Sequence, residues 1–213
     1  MTQEERIKNF VTKARMIGAG NFIVDAKNSV LFKCKPGKYG RLELPPVKMI
    51  LEDALYDIEA EELIIPDTIT HIELSTFDGC SADIVTIQGN IIEVTFGCNY
   101  FGIFRVKTIN IGKNVKDRAI VDLAFFVDGL EAINVSEDNP WYASDNGILY
   151  NKDFTELLRY PPEHPQKVYI MPNTVKDTIL QETFSNITHL KKLKISDNVT
   201  ELEPAAIYDC ENL

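Results

Sequence analysis

Ile65-Pro66-Asp67-Thr68-Ile69-Thr70-His71-Ile72-Glu73-Leu74-Ser75-Thr76-Phe77-Asp78-Gly79-Cys80 is the stretch that decides the fold. It begins at the end of an apolar–x–apolar step, Leu63/Ile65. It turns at Pro66-Asp67, then carries a bulky residue, Phe77, and a cysteine before the next step. The same step recurs at Leu42/Leu44, Val85/Ile87, Ile109/Ile111, Ile133/Val135, Val168/Ile170 and Leu193/Ile195. Successive steps start 21, 22, 24, 24, 35 and 25 residues apart, and five intervals in a narrow band mark an internal repeat.

Two further columns share this register. Val106, Leu130 and Leu190 stand three residues before their steps, and Leu55, Phe77, Phe96, Phe125, Phe184 and Ile207 stand nine to fourteen residues after theirs. Alternation of period two puts both apolar members of a step on one face of a short strand. One such unit buries too little apolar surface to offset the entropy of ordering its backbone. Stacked units cover one another, which predicts parallel strands in a solenoid.

Composition narrows the function classes. The chain has 213 residues, 45% hydrophobic and 25% charged, with a net charge of −10 and no basic run. That balance argues against nucleic-acid backbones and anionic membranes as partners. The longest apolar stretch, Ala119 to Val127, contains Asp122 and is too short to cross a bilayer. Residues 1–20 lack the apolar core of a signal peptide, so the chain reads as cytoplasmic. A cell-surface or secreted location is the alternative if a leader has been removed. Cys34, Cys80, Cys98 and Cys210 form no C-x-x-C pair. They read as small buried hydrophobes, against a disulfide or a reactive thiol.

The segment Ile65 to Cys80 resembles the repeat of the BspA-like leucine-rich-repeat proteins, with Ile65, Pro66, Ile69, Ile72, Phe77 and Cys80 in the repeat's slots. The last copy, Ile195 to Cys210, is similar, with Ser196 in place of the proline and Ile207 in place of the phenylalanine. Asp138 to Asp153, continuing through Leu157, Leu158, Arg159, Tyr160 and Pro161, looks like the family's hairpin insert and accounts for the 35-residue interval. The copies between Phe96 and Phe125 depart most from the pattern. The resemblance implies an α/β repeat solenoid, curved and right-handed, with a parallel strand ladder and short helical or 3-10 turns on the other side. It implies about seven rungs over residues 21–213, one β-hairpin inserted near 138–162, and a role in binding. It brings no catalytic residues.

Residues 2–17, within an N-terminal segment 1–20, predict an amphipathic helix. Thr2 and Glu5 have capping-box spacing, Ile7, Phe10, Val11, Ala14 and Ile17 share a face, and Gly18 and Gly20 end it. It either caps the first repeat or docks a partner. The final Cys210-Glu211-Asn212-Leu213 looks like the start of another step, so the natural chain is expected to stop abruptly or to have been cut there.

No catalytic set stands out. His71, His164 and His189 are far apart, and His71 and His189 fall on variable, exposed repeat positions. Gly18-Ala19-Gly20 follows a predicted helix and lacks the third glycine of a dinucleotide loop. The acidic groups Glu59, Glu61, Glu62 and Glu137-Asp138 lack calcium-loop spacing and read as a solvated face. No cofactor or metal is expected. The candidate surface is the outer side of the ladder, whose middle column reads Glu43, Ile64, Thr86, Asn110, Asn134, Tyr169 and Lys194, flanked by Arg41, Glu62, Thr108, Lys167 and Lys192. Ile64 and Tyr169 are expected as exposed apolar anchors. An ordinary solvated sheet face is the plainer reading. Trp141 and Tyr142 are expected to pack under the hairpin, against a sugar-stacking role. The sequence thus points to a non-enzymatic module that binds a protein or peptide partner. A cell-surface adhesin fragment binding host protein or glycan is one alternative, and an enzyme with an unrecognised site is another.

Overall fold

The computed structural model describes residues 16–95 and 104–213. Gly37–Glu43, Ile58–Ile65, Ser81–Ile87, Phe104–Ile111 and Ala132–Val135 lie side by side as parallel strands in chain order. Leu42, Leu63, Val85, Ile109 and Ile133 stand opposite one another in straight register, and all are buried. Leu44, Ile65, Ile87 and Ile111 form a second buried column. Ala60, Ala82 and Val106, in register three residues upstream, form a third. Each aliphatic is covered by its counterparts on neighbouring rungs, as the repeat spacing predicts.

Behind the ladder the chain returns mostly through shorter parallel pairings. Val30–Cys34 pairs with Met49–Ile50, and His71–Glu73 pairs with Glu93–Thr95. The helical pieces among the described residues are a 3-10 turn, Leu74–Phe77, and a helix, Ala119–Phe125. The far side is therefore mainly strand rather than the short helical turns expected. Phe77 leaves the 3-10 turn to stack on Phe104, with ring centroids 4.3 Å apart.

The insert is a three-stranded antiparallel sheet, Tyr142–Asp145, Ile148–Asn151 and Leu157–Arg159. It backs directly onto the fifth rung: Ile133 N–H donates to Gly147 O at 2.8 Å, and Val135 N–H donates to Ser144 Oγ at 2.9 Å. Gly147 has φ +79°, and a Cβ there would sit 2.8 Å from Ala132 Cβ, so the approach requires glycine. The insert also divides the core. Leu149 and Leu158 belong to the first apolar cluster, while Ile148, Tyr150 and Leu157 belong to the second.

Beyond the insert, Val168–Ile170 pairs in parallel with Lys192–Lys194, and Asp177–Ile179 with Val199–Leu202. Here one expectation is corrected. Val168 and Ile170 are exposed, at 46% and 64%, and Tyr169 is buried at 4%. The inward pair of this rung is Tyr169/Met171, opposite Leu193/Ile195. Four consecutive apolar residues carry no phase of their own, and the Tyr169–Leu193 register sets it.

Of the predicted helix, residues 2–15 lie outside the described residues. Met16 and Ile17 are not helical: Met16–Ala19 is a strand antiparallel to Phe22–Asp25, which pairs antiparallel with Val30–Cys34. Gly20, at φ +63°, makes the turn between the first two strands.

Candidate functional site

The outer face of the ladder is built by the residues between the inward ones. Glu43, Ile64, Thr86, Asn110 and Asn134 stand opposite one another on five consecutive strands. Polar side chains link across them. Arg41 Nε lies 3.7 Å from Glu62 Oε2, and Arg41 Nη2 lies 4.0 Å from Glu43 Oε2. Thr86 Oγ1 donates to Glu62 Oε1 at 3.0 Å, Asn110 Nδ2 to Thr86 Oγ1 at 3.5 Å, and Asn134 Nδ2 to Asn110 Oδ1 at 3.2 Å. This lateral chain fixes side chains that would otherwise move freely, so the face is preformed.

Two of the expected anchors are not on that surface. Ile64 is 1% exposed, standing within the arc of Thr86, Glu62, Arg41 and Glu43. Tyr169 faces the second core, where its hydroxyl meets that of Tyr150 at 2.6 Å. Lys192 and Lys194 do point outward, and their neighbours on the adjacent strand are Val168 and Ile170.

A groove of about 790 Å³ runs along the first halves of the same strands. Ion pairs cross it: Lys38 Nζ–Glu59 Oε2 at 2.6 Å, Lys107 Nζ–Asp83 Oδ1 at 2.7 Å and Arg105 Nε–Asp128 Oδ2 at 3.3 Å, while His189 Nε2 lies 3.3 Å from Glu163 Oε2. The hydrogen bond and charge of Glu59 raise the Lys38 pKa, and those of Asp83 raise that of Lys107. Both ammonium groups are therefore held charged. The sequence reading missed this groove. Its signal is periodic: Lys38, Glu59, Ser81 and Arg105 each precede their step by four residues.

The pattern of these rungs has relatives. The profile of the BspA type leucine rich repeat region matches six copies, over residues 38–144 and 166–213. The chain belongs to the BspA-type leucine-rich repeat family. Among solved structures it is similar to a leucine-rich repeat protein from Eubacterium ventriosum, at 20% identity and a TM-score of 0.58, over 92% of this chain and 63% of that one. The chain thus spans less than two thirds of that relative. It also matches a leucine rich cell surface protein from Faecalibacterium prausnitzii at 17% identity and a TM-score of 0.44, over 94% of this chain and 76% of that one. No curated protein matches it.

The BspA-type repeat slots also account for two of the thiols, Cys80 and Cys210. Cys80 is buried at its repeat position, and burial pushes its pKa up to about 12. Cys34 is buried as well, with its pKa raised mainly by desolvation, while Cys210 is half-buried. Buried thiols held protonated are poor nucleophiles. Cys98 lies outside the described residues. His71 and His189 are exposed, each beside a carboxylate, and His164 is buried between Asn146 O at 2.7 Å and the Tyr160 hydroxyl at 3.2 Å. Among the described residues no group of three or more His, Cys, Asp or Glu is placed to hold a metal ion, and no helix is long and apolar enough to cross a membrane. In the insert the expected packing falls to Tyr142 alone. Tyr142 is 7% exposed and donates its hydroxyl proton to Lys116 O at 3.2 Å, whereas Trp141 is 44% exposed.

Proposed function

We propose that this BspA-type repeat chain is a non-enzymatic binding module that holds a protein or peptide partner against the outer face of its ladder. The observation that carries this reading is the register. Arg41 and Glu62 on the flanking column, and Glu43, Thr86, Asn110 and Asn134 on the middle column, stand in straight lines at strand spacing, cross-linked by their own hydrogen bonds and ion pairs. Such an array is broad, rigid and repetitive, which suits an extended or flat protein surface better than a small molecule. Lys192 and Lys194 face outward on a separate two-stranded parallel ladder beyond the insert.

The test is affinity capture with the full chain as bait, comparing wild type with Asn110→Arg/Asn134→Arg and with Glu201→Arg on the far side. Proteins captured by wild type and by Glu201→Arg, but lost with the ladder variant, support the reading. Capture that ignores the ladder substitutions overturns it.

A further inference from the structure

The last two rungs differ from the rest of the outer face. On the first five, the outward residues are polar except for the enclosed Ile64 and the half-buried Ile84 and Ala132. On the Val168–Ile170 and Lys192–Lys194 strands, two aliphatic side chains, 46% and 64% exposed, stand beside two lysines in register. Lys167 and Lys191 lie next to them, joined through Lys191 N–H donating to Lys167 O at 2.8 Å. All four lysines are exposed, and none has an ion-pair partner among the described residues. The lysines of the groove, Lys38 and Lys107, are by contrast each paired with a carboxylate.

We infer that this patch docks an acidic, aliphatic-bearing extended segment of a partner protein. The inference rests on the proposed binding role of the ladder face and names the chemistry of what binds at its C-terminal end. Lys192 and Lys194 beside Val168 and Ile170, with the exposed, unpaired Lys167 and Lys191 at the starts of the same two strands, concentrate cations locally in a chain of net charge −10 and give complementarity to carboxylates. Val168 and Ile170 between them ask for apolar cover, which a simple polyanion does not supply. The net negative charge of the whole chain also disfavours a long polyanion or an anionic bilayer, whose extent would bring it against the acidic remainder. A short segment with alternating carboxylates and aliphatics meets only the patch, and its two-residue period matches the strands beneath.

Fluorescence anisotropy with a labelled Glu-Ile-Glu-Val-Glu-Ile-Glu peptide and the full chain tests this. Saturable binding that weakens with added salt is expected. Lys192→Glu/Lys194→Glu should weaken it by about 100-fold or more, and Ile170→Ser by about 10-fold, with unchanged thermal melts. The inference is overturned by absence of saturable binding, by equal binding of a Glu-Ser peptide, by indifference to these substitutions, or by preference for phosphatidylglycerol vesicles. If the peptide fails while Asn110→Arg/Asn134→Arg still abolishes partner capture, the acidic-segment inference falls and the ladder reading stands.

Discussion

The two halves of the core hold together by different means. The first, around residues 37–135, is a stack of aliphatic columns under a continuous parallel ladder, with Leu63, Val85 and Ile109 in line. The second, around residues 148–206, rests on rings. Tyr160 packs on Tyr169 and Phe184 with centroids 5.3 and 5.4 Å apart, Tyr150 packs on Phe154 at 5.0 Å, and its ladder strands are three residues long. Long strands spread stability over many equal contacts, whereas short strands concentrate it in a few large side chains. Between the halves stands Arg159, 1% exposed. It donates to Glu182 O and Ser185 Oγ at 2.7 Å each, and its guanidinium carbon lies 4.6 Å from the Phe125 ring centroid. Burial pushes its pKa down to about 10.

This contrast can be broken or sharpened by substitution. Tyr169→Ala should cost about 4 kcal/mol and remove hydrogen-exchange protection from residues 166–213 first, leaving residues 58–111 protected. Leu63→Ala should cost about 3 kcal/mol, with protection lost through the first half instead. Equal loss everywhere after either change would mean that the two cores unfold as one. Arg159→Ala should cost about 2–3 kcal/mol in chemical denaturation, because it removes two hydrogen bonds, one of them to the buried Ser185 hydroxyl, and the contact with Phe125. High pH should weaken both halves, the first through the buried Cys80 thiol, also raised to about 12, and the second through three buried tyrosines. Burial raises Tyr150 and Tyr160 to about 12 and raises Tyr169 further, so the folded state keeps phenol protons that the unfolded chain releases near pH 10. Their stabilisation is present below pH 10 and is lost as pH rises toward about 12, which phenolate absorbance would follow against exchange protection. The smallest effect belongs to the exposed groove. Lys38→Ala should cost no more than about 0.5 kcal/mol in a thermal melt.

The first half was the more legible in sequence, for a physical reason. Leu42, Leu63, Val85 and Ile109 alternate with polar residues on at least one side, so spacing alone gave their register. Where both sides of a strand carry apolar residues, alternation disappears and phase with it. Leu63-Ile64-Ile65 hides the enclosure of Ile64, and Val168-Tyr169-Ile170-Met171 allowed a slip of one residue. Counting from Tyr169 to Leu193 restores a spacing of 24, equal to the two intervals from Val85 to Ile133, and moves Tyr169 off the candidate face. Ile148-Leu149-Tyr150 carried the same unread signal, three apolar residues serving two cores. The groove of paired charges was missed because its residues have no common chemistry, only a common position.

The inserted sheet works as a party wall, with each dwelling leaning on its own side. A fragment cut just before Tyr142 would strip Leu149 and Leu158 from the first compartment, and one begun at Pro161 would leave Tyr169 and Phe184 without Ile148, Tyr150 and Leu157. Anyone dissecting the chain into halves should therefore expect greasy, clumping pieces from both, and soluble ones only when the wall travels with the half being kept.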